Sequence, residues 1–202
     1  MHIERLVIAT GNPHKTGEIR DLLGGLVGEV VDLSSHPEVG EIAETGTTFE
    51  ENARLKALGA SAVLGVGTWV LADDSGLEVD ALAGAPGVYS ARYAGSGASD
   101  ASNREKLLGA LAEAGARGKA RSARFRCVLV LARGGEAIEV FEGSCEGLIA
   151  NREKGGLGFG YDPVFIPDGH CETFGELPPQ VKNRISHRAR ALEQLRTWLA
   201  GK

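Results

Sequence analysis

The chain has 202 residues, of which 43% are hydrophobic and 24% are charged, a composition typical of a soluble globular protein. Its formal net charge of -5 argues against a broad nucleic-acid-binding surface, but a local group of Lys and Arg residues can still serve one nucleotide. No apolar run approaches the ~20 residues of a membrane span, and the N-terminus lacks a signal-peptide pattern. We therefore expect a cytoplasmic protein without a membrane or nucleic-acid-polymer partner.

The first predicted elements are a strand, a turn and a helix. The apolar run at residues 6–9 predicts a short strand buried on both faces. Turn-forming residues follow at 10–13, and then Ile19, Leu22 and Leu23 recur at helical spacing. This order is typical of the start of an α/β domain.

The second predicted helix begins at a capping box, either at 47–50 or at 48–51, and extends to about residue 63. A short strand at 69–72 then places Asp73 and Asp74 at its C-terminal end. A glycine-rich loop stretch occupies 84–97. The remaining predicted elements are a helix at 104–114, a strand at 124–131, a turn at Gly134 and Gly135, a strand at 137–141 and a helix carrying apolar residues from 189 to 199.

These elements predict a mixed β-sheet with helices packed around it, in a single domain covering 1–202. The three cysteines have neither metal-ligand nor redox spacing, which predicts buried free thiols at Cys127, Cys145 and Cys171.

Four segments carry side chains suited to nucleotide chemistry. The first is the polar loop at 10–15, which follows a strand and opens a helix. Backbone N–H groups and the helix dipole can hold an anion there, and Lys15 adds a positive charge. It lacks the Walker A pattern, and an ordinary surface turn is the alternative interpretation.

The second and third segments combine amide, ammonium and carboxylate groups. Asn52 and Lys56 share one helix face, with Glu44 just upstream, and a solvated polar face is the alternative. Adjacent Asp73 and Asp74 point in different directions, so we expect one to face a ligand and the other to anchor the loop. Carboxylates suit Mg²⁺, whereas a helix cap or an Asx turn is the alternative.

The fourth segment pairs an aromatic loop with basic residues near the C-terminus. Phe159 lies between glycines and could stack on a base. Lys182, His187 and Arg188 supply donors that could recognise a 6-keto oxygen. A core phenylalanine and a basic helix start are the alternatives.

Taken in chain order, these segments belong to a longer pattern that covers nearly the whole sequence. Its six parts are residues 10–15, 44–53, 71–77, 84–93, 158–163 and 185–188. Together they resemble the inosine-triphosphate pyrophosphatase family, also called non-canonical purine NTP pyrophosphatases. The resemblance implies an elongated α/β fold with a long mixed β-sheet flanked by helices, two lobes with a nucleotide cleft between them, and a homodimer.

The resemblance also implies Mg²⁺-dependent hydrolysis of ITP, dITP, XTP and dXTP to the monophosphate and pyrophosphate. Asp74 would be the catalytic base and a metal ligand, and Ser75 would touch the substrate. The implied triphosphate-binding residues are Thr10, Gly11, Asn12, Pro13, His14, Lys15, Asn52 and Lys56. The implied base and sugar contacts are Phe159, Gly160, Tyr161 and Asp162, with Lys182, His187 and Arg188 at the purine edge.

One position departs from the family pattern. Many relatives carry two adjacent acids before the Thr-Gly pair, whereas here Ala43 precedes Glu44. We take Glu44 as the second metal ligand, with Glu41, or no second protein ligand, as alternatives. A Maf-like pyrophosphatase of other specificity and a non-catalytic nucleotide-binding module are the competing interpretations.

Overall fold

The computed structural model describes residues 2–202 and confirms a mixed α/β fold. Its six-stranded sheet has the order β2-β1-β3-β4-β5-β6. The strands are β1 (Ile3–Ile8), β2 (Val27–Asp32), β3 (Trp69–Val79), β4 (Ser122–Arg133), β5 (Glu136–Ile149) and β6 (Phe165–Pro167). The α-helices are α1 (Pro13–Leu23), α2 (Phe49–Leu64), α3 (Asp100–Glu113), α4 (Pro179–Ile185) and α5 (His187–Ala200).

The sheet is mixed because its first strands run parallel and its last pair runs antiparallel. Strand β1 pairs in parallel with β2 and β3, and β5 pairs antiparallel with β6. Parallel neighbours need a long crossover connection, and α1 and α2 lie in the connections that follow β1 and β2.

The main correction concerns β3, which was predicted to end at Ala72. The strand continues to Val79, so Asp73 and Asp74 lie inside it rather than in a loop after it. It continues because Leu77 and Val79, two positions apart on one strand face, are completely buried. The Leu77 N–H is satisfied by Ser90 Oγ at 2.9 Å. Asp73 is therefore a strand residue, and the loop directly after residue 72 that it was expected to anchor is absent.

Smaller differences concern boundaries and exposure. Strands β2 and β6 were not predicted, β5 extends well beyond residue 141, and α3 begins four residues before Arg104, at Asp100. Cys127, Cys145 and Cys171 form no disulfide bond, as predicted, and the first two are buried. Cys171 is exposed, and its predicted burial is therefore wrong. Among residues 2–202, no helix combines the length and the apolar character that crossing a membrane needs.

The chain forms two compact units, and each contains segments of β3, β4 and β5. Within the described residues, unit 1 comprises 2–74, 127–143 and 188–202, and unit 2 comprises 75–126 and 144–187. In unit 1, β1, α1 and α5 bury a core that includes Leu6, Ile19 and Leu195. In unit 2, the core includes Leu107 of α3 and Phe165 of β6. The single domain and the nucleotide cleft stay predictions.

Helix α2 begins with the capping box at 48–51, one of the two predicted. Thr48 Oγ1 accepts the Glu51 N–H at 3.1 Å, and the Glu51 carboxylate accepts the Thr48 N–H at 3.3 Å. We expect Thr48→Ala to lower the melting temperature by about 3 °C, because the cap satisfies an otherwise unpaired helix donor. Thr45→Ala, which lies outside the cap, is the control. Circular dichroism during thermal unfolding measures both melting temperatures. Equal melting temperatures of the two variants would contradict the prediction.

Candidate active site

The two adjacent aspartates of β3 enter separate clusters of charged side chains. Asp73 is 0% exposed and Asp74 is 7% exposed. Successive side chains of a strand point to opposite faces. The predicted divergence of the two carboxylates is therefore confirmed, although it arises within a strand.

The Asp73 carboxylate lies among three donors of unit 1. Lys15 Nζ contacts its Oδ1 at 2.7 Å, Arg188 Nε contacts its Oδ2 at 2.7 Å, and the Cys127 thiol lies 3.4 Å from Oδ2. Arg188 also pairs with Glu18. Burial alone would raise the pKa of Asp73, but Arg188 and Lys15 outweigh it and hold that pKa well below its usual range. Asp73 therefore stays ionised and keeps Lys15 in place.

The Asp74 carboxylate shares a lysine with Glu44. Lys56 Nζ lies 2.8 Å from Asp74 Oδ1 and 3.3 Å from Glu44 Oε2, and it donates to the Asp73 backbone carbonyl at 2.9 Å. Burial raises the pKa of Asp74, and Lys56 offsets part of that increase. Although burial would lower the pKa of Lys56, Asp74 and Glu44 raise it above its ordinary value. The lysine is thus a fixed cation beside two carboxylates.

Asn52 lies one helical turn before Lys56 and is completely buried. Its Oδ1 accepts the Gly46 N–H at 2.8 Å, which fixes the orientation of the amide. A Cβ atom at Gly46 would lie 2.6 Å from the Glu51 Cβ, so glycine allows this close approach. The Asn52 Nδ2 finds no hydrogen-bond partner among the described residues. A buried, unpaired donor is costly, and an anionic ligand would satisfy it.

The predicted anion-binding loop at 10–15 adopts a capped helix start. Asn12 is the N-cap of α1, and its Oδ1 accepts the N–H groups of His14 at 2.9 Å and Lys15 at 3.4 Å. Thr10 Oγ1 accepts the Asn12 N–H at 3.1 Å. The loop therefore has a defined conformation at the positive end of the α1 dipole, and Pro13 occupies the first turn.

The Asp74 and Glu44 carboxylates have the chemistry that Mg²⁺ prefers. Within residues 2–202, no group of three or more His, Cys, Asp or Glu side chains could hold a metal ion. Mg²⁺, however, usually takes only one or two carboxylates and completes its shell with water and substrate phosphates. Asp74 and Glu44 are two such carboxylates, and both already hold a cation, the Lys56 ammonium. Glu41 has no comparable contact with Lys56.

In unit 2, the predicted base-binding loop is held by an ion pair. Asp162 Oδ2 accepts the Phe159 N–H at 2.8 Å and a Lys182 Nζ–H at 2.5 Å. Lys182 Nζ also lies 4.7 Å from the centroid of the Phe159 ring. The Tyr161 hydroxyl donates to the Ser90 carbonyl at 2.8 Å. The aromatic ring thus projects from a turn whose backbone is fixed.

The three predicted purine-edge residues have different surroundings. Lys182 is buried against Asp162, and His187 stacks on Phe125 with ring centroids 4.7 Å apart, both within unit 2. Arg188 belongs to unit 1, where Asp73 and Glu18 contact it.

Ser75, the fourth predicted substrate contact outside the loops, follows Asp74 in β3 and is half-buried. The substrate contacts of all four stay predictions.

Sequence reasoning missed two members of the Asp73 cluster, Glu18 and Cys127. Glu18 follows Lys15 by three positions on α1, so helical spacing could have placed it on the same face. Cys127 lies within the apolar run of β4, where nothing in the sequence distinguishes it from a core residue.

The chain is similar over nearly its whole length to known proteins. The sequence model described as the Ham1 family matches residues 6–198. A dITP/XTP pyrophosphatase of Listeria monocytogenes serotype 4b is 48% identical over 198 residues, which cover 98% of this chain and 96% of that protein. A dITP/XTP pyrophosphatase of Oceanobacillus iheyensis is 46% identical over 198 residues, covering 98% of each protein.

Two solved structures agree in fold. A HAM1 protein from Coxiella burnetii superposes with a TM-score of 0.87 at 43% identity, covering 99% of this chain and 100% of that chain. The Staphylococcus aureus Ham1 protein gives a TM-score of 0.84 at 40% identity, with 98% and 99% covered. The resemblance inferred from the sequence motifs is thereby confirmed, and the chain belongs to the Ham1 family.

Proposed function

We propose that this chain hydrolyses non-canonical purine nucleoside triphosphates, namely ITP, dITP, XTP and dXTP, to the monophosphate and pyrophosphate. The reaction removes deaminated purines from the nucleotide pool. Relatives over nearly the full length are dITP/XTP pyrophosphatases, and the chain retains the charged groups that such a reaction requires.

The observation that carries the proposal is the Lys56 cluster of unit 1. A buried ammonium contacts the Asp74 and Glu44 carboxylates, and the unpaired Asn52 Nδ2 group lies one turn away on the same helix. Carboxylates attract a divalent cation, whereas ammonium and amide N–H groups attract phosphate oxygens. A metal–triphosphate complex is the ligand class that satisfies both.

The proposed mechanism assigns one role to each group of unit 1. Asp74 and Glu44 would hold Mg²⁺, which supplies neutralisation of phosphate charge when bound. The Asp74 carboxylate accepts a proton from the water that attacks the α-phosphate. Lys15 and Lys56 neutralise triphosphate oxygens, and the Asn52 amide donates to one of them. The loop residues Thr10, Gly11, Asn12, Pro13 and His14 complete the triphosphate contacts.

Base recognition is assigned to the aromatic loop and the basic residues. Phe159 offers its ring face to the purine, and Gly160, Tyr161 and Asp162 frame the base and sugar, with Ser75 touching the substrate. Lys182, His187 and Arg188 provide donors for the 6-keto oxygen. Adenine presents an amino group at that position, so its complex would leave two donors facing each other.

A substrate panel tests this specificity. We expect kcat/KM for ITP and XTP to exceed that for ATP by about a hundredfold or more, because unpaired buried polar groups strongly discriminate. Hydrolysis should require added Mg²⁺ and stop with a chelator. Equal use of ATP would contradict the 6-keto readout and favour a Maf-like or other specificity. Intact ITP after long incubation would favour a non-catalytic binding module.

We further propose that the protein acts in the cytoplasm as a homodimer and that 1–202 form a single functional domain. The cytoplasmic location is supported by the proposed substrates, because they belong to the nucleotide pool. One family model matches residues 6–198, which supports the single domain. The resemblance to the inosine-triphosphate pyrophosphatases supports the dimer.

A further inference from the structure

The glycine that follows Phe159 is bonded on both sides of its backbone by one helix. The Gly160 N–H donates to Asp100 Oδ2 at 2.7 Å, and the Gly160 carbonyl accepts from Arg104 Nη1 at 2.8 Å. Asp100 and Arg104 lie one turn apart on α3, so a single helix face presents both groups. We call this pair of residues the Gly160 clamp. All of its members lie in unit 2.

The Asp100 carboxylate is available to bond Gly160 because another residue caps the N-terminus of α3. The N-cap of α3 is Ser99, whose Oγ accepts the Ser102 N–H at 3.2 Å. Asp100 is therefore not needed as the cap. Arg104 also forms an ion pair with Glu153, whose Oε2 lies 3.0 Å from the arginine Nε without hydrogen-bond geometry. The guanidinium thus contacts a carboxylate through Nε and the Gly160 carbonyl through Nη1.

Gly160 is the conformationally permissive point of this turn, because glycine lacks a Cβ atom; here its backbone lies in the left-handed region, with φ at 59°. It joins Phe159 to Tyr161, so a rotation of its backbone would change the direction of the Phe159 ring. Asp162 holds Phe159 from within the loop, since its Oδ2 accepts the Phe159 N–H and its N–H donates to the Phe159 carbonyl at 3.1 Å. Lys182 of α4 lies over the ring face. The Gly160 clamp adds contacts to the Gly160 backbone itself, from residues of α3 that are distant in sequence.

We propose that Asp100 and Arg104 are positioning residues for base recognition, which fix the direction of the Phe159 side chain through Gly160. The inference rests on the proposed function, in which Phe159 stacks on the purine. Neither residue contacts the reacting phosphate in this assignment. Their loss weakens binding of the base and leaves the chemical step unchanged.

The test compares substrates with and without a base. We expect Asp100→Ala and Arg104→Met each to raise KM for ITP about tenfold, the loss expected when a stacking platform is disordered, with kcat nearly unchanged. For ribose 5-triphosphate, which has no base, kcat/KM should stay within about twofold of the wild-type value. Asp100→Asn keeps an acceptor oxygen for the Gly160 N–H and should restore most of the ITP affinity.

Two control variants and one double variant separate positioning from general damage. Glu105→Ala on the same helix and Arg117→Met just beyond it remove exposed charges outside the clamp and should leave both substrates unaffected. In a Phe159→Ala background, Asp100→Ala should change KM for ITP by less than about twofold, because residues that act through one another are not additive. Parallel losses on both substrates, or full additivity, would overturn the clamp.

The outcomes also distinguish the clamp from the function on which it rests. Wild-type protein that leaves ITP intact, or Phe159→Ala that leaves KM for ITP unchanged, would overturn the proposed function at the base site. A raised KM in Phe159→Ala with an unchanged KM in Asp100→Ala and Arg104→Met would overturn the clamp alone.

Discussion

Asp74→Asn is expected to lower kcat for ITP hydrolysis by about a thousandfold or more, the scale of losing a general base. The substitution removes the carboxylate charge but keeps the size of the side chain and an oxygen that can accept from Lys56, whose Nζ lies 2.8 Å from Asp74 Oδ1. The site should therefore keep its shape while losing the group that accepts the proton and holds the metal.

Binding should respond far less than turnover. Asp74 is not assigned a contact with the base, and Lys15, Lys56 and Asn52 remain to hold the triphosphate. Affinity for a non-hydrolysable α,β-imido analogue of ITP, measured by calorimetry, is expected to change by less than about tenfold. Asp168→Asn, at an exposed carboxylate of unit 2, is the matched control and should retain wild-type turnover. Near-normal kcat in Asp74→Asn would remove Asp74 from the mechanism.

Asp73→Asn is expected to lower the free energy of unfolding by about 3 kcal/mol, because breaking a buried ion pair leaves its partner charge uncompensated. Asp73 is 0% and Arg188 1% exposed, so solvent cannot replace the lost carboxylate. Glu18 still pairs with Arg188 in the variant, which keeps the loss at the lower end of the usual range. Chemical denaturation at neutral pH measures the difference.

The pH dependence of this loss has a defined sign. The pKa of Asp73 is held well below its ordinary value in the folded chain, with burial outweighed by Arg188 and Lys15. Its stabilisation is thus complete above the unfolded pKa of about 3.9 and is lost as the pH falls further toward the folded pKa. The difference in the free energy of unfolding between the wild type and Asp73→Asn should be constant near neutral pH. It should become smaller only in acid.

A surface ion pair provides the control for Asp73. Asp80 pairs with Arg124 at 2.9 Å, but its side chain is 49% exposed. Water screens such a pair, so Asp80→Asn should change the free energy of unfolding by less than about 1 kcal/mol. Equal losses in the two variants would contradict the view that Asp73 is the buried anchor of Lys15 and Arg188.

Elements with a strong local signal were predicted well from sequence. The apolar run of β1, the capping box of α2 and the periodic leucines of α5 depend on neighbours within a few residues. Strand β2 was missed because its pairing partner is distant in sequence and its apolar run is interrupted by Gly28 and Glu29. A Cβ at Gly28 would lie 2.5 Å from the Glu4 carbonyl oxygen, a close approach that only the folded sheet reveals.

In the candidate site, too, the sequence identified the residues but not the contacts between them. Ordered motifs identified Lys15, Lys56, Asp73 and Asp74 as charged groups of interest. They could not show that Lys15 pairs with Asp73 while Lys56 pairs with Asp74, since that depends on the side of β3 that each side chain faces. The contact of Asp73 with Arg188 joins residues 115 positions apart and lies beyond any local pattern.

Identification of the products of ITP hydrolysis tests the central claim most directly. The protein would be incubated with ITP and Mg²⁺, with Asp74→Asn as the blank, nucleotides would be separated by anion exchange, and pyrophosphate would be measured by a coupled assay. The account predicts IMP and pyrophosphate in equal amounts. IDP with inorganic phosphate, or ITP recovered intact, would contradict it.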